Sequence, residues 1–307
     1  MASTLKFGAE PSLVVDRYAD QMKTVYNEKY GDGDITYSHA DMCQVYLPYQ
    51  NIEGDLYEVT QGDLTMRVQG ARRLDPETRE VIRRGVPYGT RARLLLYLIN
   101  QQAILKREPT FQLAKNFSDL CRKLGIPRSG RSMEELKVQL ERLCTASFSL
   151  EWKNRKQAGI SNFFIVESIV TSGRFKDMNY VDVKEKIKGF EITLSDKYFE
   201  SVITKGVPLD RRTILALQNN SMCLDIYSWL THRLYRIPKG TSQFVPWKAL
   251  KDQFGHGFGA MRNFKRDFRK NLKNVTLQYR EAKISEDKNR GFVLYPSAPP
   301  IGERLLF

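Results

Sequence analysis

One order of apolar residues runs through the chain twice, and it constrains the fold more than any other feature. Leu94, Tyr97 and Ile104 sit at helical spacing, Leu120 and Leu124 close a short second helix before Gly125, and Leu136, Leu140 and Cys144 mark a third. Leu224, Tyr227 and Leu234, then Leu250, Phe254 and Gly255, then Phe264, Phe268 and Leu272 repeat that order. The offset is 130 residues for the first two helices and 128 for the third, as two residues lost from one turn would produce. A helix, a second helix stopped by glycine in the left-handed conformation, a turn, and a third helix followed by strands make a helix-turn-helix with a wing. The expected fold is therefore α+β, with two tandem winged-helix domains.

The remaining pattern predicts how the chain is divided. Residues 1–84 read as an N-terminal arm and a small β-rich extension, 85–206 as the first winged-helix domain and 207–307 as the second. The arm holds a short helix, Val14 to Tyr26, and a Gly-Asp tract from Gly31 to Asp34 that cannot keep regular structure. Val45-Tyr46-Leu47 reads as a strand, and Leu56–Val59 and Leu64–Val68 flank Gly62 as a hairpin. In the first copy the strands fall at Phe148–Lys153, Phe163–Thr171 and Phe190–Leu194; in the second at Val275–Ile284 and Phe292–Tyr295, around a polar tip from Glu286 to Gly291. Ser195 caps a helix through Thr204, and the domain boundary falls at Val207-Pro208-Leu209-Asp210.

Charge narrows the function. Lys and Arg total 49 against 35 acids, a formal charge of +14, and phosphate is the usual partner of such an imbalance. A mean hydropathy of −0.46 and the absence of any long apolar run argue against a membrane partner. The opening MASTLKFGAEPS has no apolar core of signal-peptide length, which predicts a cytoplasmic protein. Cys43, Cys121, Cys144 and Cys223 lack CxxC spacing and read as reduced core residues, so no metal and no cofactor is expected.

The sharpest chemical signal is GAMRNFKRDFRKNLK, Gly259 to Lys273. On a helix, Met261, Phe264, Phe268 and Leu272 fall within about 80° of one another, and Arg262, Lys265, Arg266, Arg269, Lys270 and Lys273 cover the other side. A helix lying in a major groove needs that division: arginine can fork onto guanine edges while neighbouring cations neutralise phosphates. The first copy's third helix differs. Ser132 and Glu135 form a capping box there, and Glu134, Lys137, Glu141 and Arg142 leave a surface of mixed sign. Self-association suits that helix, or a phosphate contact through Arg128 and Arg131 in the preceding turn.

Enzymatic readings find little support. There is no GxxxxGK[ST] phosphate loop, and His39, His232 and His256 are isolated, without the His-x-His pair a nickase would use to hold a metal. Gly255, Gly257 and Gly259 read as the turn before the basic helix, and Tyr227, Trp229, Phe244 and Trp247 as core. The chain is expected to be no enzyme; a nickase or primase-like protein is the least favoured reading.

Several segments together resemble the plasmid-encoded RepA replication initiator family. They are Val86-Pro87-Tyr88-Gly89, Val207-Pro208-Leu209-Asp210, Leu224 to Leu230 (LDIYSWL), Pro246 to Gly255 (PWKALKDQFG), Phe264 to Leu272, and upstream Cys43 to Pro48. The resemblance runs in order from about Ile35 to Pro300. It implies a protein that binds repeated duplex sites at a plasmid origin, promotes opening, sets copy number and represses its own promoter. It also implies partners: double-stranded DNA, a host replication initiator, the replicative helicase, and a second copy through a monomer–dimer balance. A winged-helix transcriptional regulator without a replication role would carry the same groove-reading helix and remains the alternative.

Overall fold

The computed structural model describes residues 32–74, 78–153, 157–171 and 189–301. The expected helix Val14–Tyr26 lies outside them. Asp32–Asp34, expected to be irregular, forms one 3-10 turn that leads into strand β1, Ile35–His39. Val45–Leu47 forms no strand; Tyr46 instead stacks on Phe254 at 5.2 Å.

The chain divides into two compact units. One is Leu47–Gly206; the other combines the described parts of Met1–Tyr46 and Val207–Phe307. This corrects the separate extension expected over 1–84. Residues 47–74 supply strands to a sheet of the first unit, while β1 pairs with a strand that begins at Gly206.

In the unit Leu47–Gly206, β2 (Leu56–Gln61) and β3 (Leu64–Gln69) form the expected hairpin, turning at Gly62 with φ +57°. β4 (Arg72–Leu74) pairs with β5 (Val81–Arg83). Helix α1, Gly89–Lys106, carries LLLYLI and is buried nearly all round, so it lies at the centre of the unit. Its Arg93 is buried as well, and donates to the carbonyls of Leu47, Pro48 and Gly89.

β6 (Thr110–Ala114) leads to α2 (Phe117–Lys123), capped by Asn116, and then to α3 (Gly130–Thr145). β7 (Ser147–Lys153) and β8 (Ala158–Phe164) complete a sheet in the order β2-β3-β7-β8. β9 (Val166–Thr171) and β10 (Phe190–Leu194) join β6 in the order β6-β10-β9. The single strand expected over Phe163–Thr171 is thus two, because Ile165 is buried between a residue paired to Ser147 and one paired to Leu194. Helix α4, Asp196–Lys205, is capped by Ser195. It covers the free side of β8: Ser195 Oγ donates to Phe164 O, and Lys197 Nζ to Asn162 O at 3.2 Å.

In the other unit β11 (Gly206–Asp210) pairs with β1, and Asp210 caps α5 (Arg211–Leu217). There follow α6 (Ser221–Leu234), β12 (Gln243–Pro246), α7 (Trp247–Phe254), α8 (Met261–Gln278), β13 (Ile284–Asp287) and β14 (Gly291–Leu294), with sheet order β12-β14-β13. The strand expected from Val275 is helix through Gln278, since buried Val275 and Gln278 extend the core stripe of Phe268 and Leu272. Trp229, Trp247, Phe254, Phe264, Phe268 and Phe292 form one aromatic core.

Both units therefore present a buried helix, a strand, a short helix, a turn of equal length (124–129 and 255–260) and an amphipathic helix; four strands, β7 to β10, follow it in the unit Leu47–Gly206 and two, β13 and β14, in the other. The three-stranded sheets share one order, β6-β10-β9 and β12-β14-β13, although in the unit Leu47–Gly206 the hairpin directly after α3, β7–β8, belongs to the four-stranded sheet. The register of the third helix needs correction. Buried Ser132, Leu136, Gln139, Leu140 and Leu143 match buried Phe264, Phe268, Asn271, Leu272 and Val275 at an offset of 132, one helical turn from the expected 128. Relative to the 130 offset the buried stripe of the third helix lies two residues further on, not two residues back.

Burial raises the thiols of Cys43, Cys144 and Cys223 to about 12 and pushes that of Cys121 up as well. A thiol reagent at pH 8 should therefore leave all four unmodified in the native protein and modify them on denaturation, because the thiolate is the nucleophile. Fast labelling of any of them in the native protein would contradict this packing.

Candidate nucleic-acid interface

The basic helix is set by the turn before it. Gly255 ends α7 with φ −95°, outside the left-handed region expected of it; the residue is glycine because a Cβ there would meet Lys251 O at 2.4 Å. Gly125, the counterpart in the other unit, does take a left-handed φ of +66°, and in the basic turn that conformation passes to Gly257 at +90°. Phe258 packs edge-on against Phe264 at 5.6 Å. Phe264 and Phe268 are then driven into the core, and the opposite face of α8 holds the cations.

Those six cations fall into two groups. Arg262 and Lys270 are exposed, Lys273 is half-buried, and Arg266 is exposed with only the adjacent Asp267 as ion partner, at 2.7 Å. The hydrogen bond from Arg266 holds the Asp267 carboxyl below the usual carboxylate range. Lys265 and Arg269 are committed elsewhere. Arg269 pairs with Glu286 at 2.6 Å and lies 4.9 Å from the centre of the Trp247 ring; Lys265 lies 5.3 Å from the same ring and donates to Asn289 O. The uniform cationic face read from helical spacing is thus divided, because a partner seventeen residues downstream is invisible to periodicity within the helix.

Three exposed residues were missed by sequence reasoning: Lys288, Asn289 and Arg290, at the tip of the β13–β14 hairpin. Lys288 and Asn289 have φ of +35° and +66°, and Arg290 N donates to Asp287 O, closing the tip. The tip lies beside α8 through the Lys265 and Arg269 contacts. Phe244, grouped with the core by its spacing, is 46% exposed with the Arg290 guanidinium 5.9 Å from its ring. The polar tip Glu286–Gly291 was the available signal, since it carries Lys288 and Arg290.

Arg128 and Arg131 belong to the unit Leu47–Gly206. Both are exposed, and Arg131 pairs with Glu135 at 3.1 Å. The cap of α3 is Ser129, accepting from Ser132 N at 3.2 Å, so Ser132 lies inside the helix and the expected Ser132–Glu135 capping box does not form. Glu141, read as surface charge, is buried and paired with Arg84 at 2.6 Å. Among the described residues no group of His, Cys, Asp and Glu could hold a metal, and no helix is long and apolar enough to cross a membrane. His39 is buried, its Nδ1 accepting from Asp41 N at 3.2 Å.

Comparison with known proteins gives a family and a fold. No curated protein matches the sequence. Among the solved structures similar to it are two of RctB domains 2 and 3. The selenomethionine derivative has a TM-score of 0.50 and 12% identity, covering 84% of this chain and 97% of that one; the other has a TM-score of 0.49 and 12% identity, covering 82% and 93%. At that identity the likeness is one of fold. The family of plasmid-encoded RepA proteins matches residues 86–249, more than half of the chain, and takes in α1 through the start of α7. The chain is a member of the plasmid-encoded RepA family of replication initiators.

Proposed function

We propose that the chain binds repeated duplex sites at a plasmid origin and that α8 reads bases in the major groove. The observation that carries this reading is the division of α8 itself: Phe264, Phe268 and Leu272 fill the core while Arg262, Arg266 and Lys270 project from the other side. Each unit is read as a winged helix. The shared order of the three-stranded sheets supports this, with the hairpin β13–β14 directly following the third helix in the unit Val207–Phe307, and the fold-level likeness is compatible with it.

In this proposal the unit containing Val207–Phe307 recognises DNA, while Leu47–Gly206 mediates self-association, with Arg128 and Arg131 available for peripheral phosphate contacts. α3 carries Glu134 and Glu135 against Arg131 and Lys137 near its start, a balance of charge that gains little from a phosphate backbone. Opening of the origin, recruitment of a host initiator and the helicase, and autorepression are carried over from the family as part of the same proposal.

The test is selection of duplexes from a random pool by the full chain, followed by a salt titration of the enriched site. The logarithm of affinity should fall with the logarithm of salt by roughly 0.9 per phosphate neutralised. Equal affinity for random and enriched duplex would refute specificity. Arg266→Ala should lose about 1–3 kcal/mol of binding and relax preference at one base position if it forks onto guanine. A folded Arg266→Ala variant that binds as wild type would remove Arg266 from the interface. Replication of a plasmid dependent on this gene and its flanking DNA then separates an initiator from a regulator.

A further inference from the structure

The β13–β14 hairpin is fastened at several points that base reading does not use. Arg269 Nε donates to both Glu286 carboxylate oxygens at 3.1 Å, and its Nη2 donates to Glu286 Oε1 and to Asn289 Oδ1, each at 2.6 Å. Lys265 Nζ donates to Asn289 O at 3.2 Å, and Trp247 N donates to Arg290 O at 3.1 Å. Trp247 itself is buried, packed edge-on against Phe268 at 5.8 Å and Phe292 at 5.1 Å, so the surface carrying both cations is rigid. The tip holds two consecutive residues at positive φ, a conformation that persists where surrounding contacts fix it.

An arginine whose Nε and Nη2 are already engaged by a carboxylate and an amide cannot offer that fork to a guanine without releasing them. We propose that Arg269, assisted by Lys265, is a positioning residue. It holds the hairpin at a fixed angle to α8, so that Lys288 and Arg290 meet the sugar-phosphate backbone in register with the base contacts of Arg262 and Arg266. The proposal rests on the reading of α8 as the duplex-facing helix. It divides the cations of α8 by role: Arg269 and Lys265 set geometry, and the exposed ones touch DNA.

The experiment compares the full chain with Arg269→Ala, Glu286→Gln and the double variant on the duplex that wild type enriches from a random pool. Each single change should weaken binding by about tenfold, a difference readily resolved in affinity. The double variant should be no worse than the weaker single, because both changes cut the same tie. Hydroxyl-radical protection of the backbone flanking the site should shrink while the preferred bases stay the same. In the free protein, amide exchange at Lys288–Gly291 should rise in every variant; Glu286→Gln, nearly isosteric, guards against a general loss of fold.

A direct base contact by Arg269 gives the opposite pattern. Arg269→Ala alone would then change the preferred bases, and Glu286→Gln, which removes a negative charge, would bind as well as wild type or better. That pattern, or hairpin amides unmoved by either change, overturns the proposal. A wild type that enriches no duplex overturns the DNA reading and this proposal with it, whereas enrichment with unmoved hairpin amides overturns this proposal alone.

Discussion

Replacing Phe268 with alanine should destabilise the folded protein by about 3–5 kcal/mol, the usual range for emptying a buried aromatic site. Phe268 is fully buried and is met by rings on every side: Phe264 at 5.5 Å on its own helix, Phe254 at 5.4 Å from α7, Trp247 at 5.8 Å and Phe292 at 5.9 Å. Those neighbours are held by α8 itself, by α7 and by β14, so they cannot close on the space left behind. Phe268→Leu keeps much of the volume and should cost clearly less. Denaturant titration measures both, and an unchanged midpoint for the alanine variant would mean that α8 turns a different face to the core. Because the same helix is proposed to read DNA, loss of binding by Phe268→Ala would follow from loss of its platform.

Charge reversal at Glu141 should be nearly as damaging, while the same change at Glu134 should be mild. The Glu141 carboxylate is 8% exposed and faces the Arg84 guanidinium, itself 9% exposed, at 2.6 Å. Removing one partner of a buried pair typically costs about 3–5 kcal/mol, since the other charge is left without compensation, and Glu141→Lys adds a second cation beside it. Replacing both Arg84 and Glu141 by apolar residues should recover much of that loss, for the same reason. Glu134 is exposed and its nearest cation is Lys137 at 3.9 Å, so Glu134→Lys should stay within about 0.5 kcal/mol of wild type. Glu134→Lys is therefore the variant that reports on self-association by sedimentation; a folded Glu141→Lys chain of wild-type midpoint would contradict the buried pair.

The elements carried by apolar periodicity were legible in the sequence. Phe190–Leu194 forms a strand, Ser195 caps the helix that follows it, and the Gly62 hairpin forms with the expected strands. The third-helix register was missed because its buried stripe is partly polar. Ser132, Gln139, Asn271 and Gln278 face inward, and Asn271 is held by Asn220 at 2.8 Å and Cys223 at 3.3 Å, contacts that no hydrophobic pattern announces. Pairing β1 with a strand at Gly206–Asp210 spans most of the chain and leaves no local mark. The basic helix was legible for a simple reason: charge and aromatic residues separate cleanly around it. Its division into tied and exposed cations was not, since Glu286 and Asn289 lie beyond the end of the helix.

The seating of α4 against β8 bears on how the protein behaves when crowded. An outermost strand with unoccupied carbonyls is a template on which another chain can add, and repeated addition leads to fibrous growth. Here the carbonyls of Phe164 and Asn162 are already taken by Ser195 and Lys197, and Lys197 places a positive charge on the approach. Chains meeting at that margin find fewer acceptors and a repelling cation, a local brake on polymerisation at high concentration.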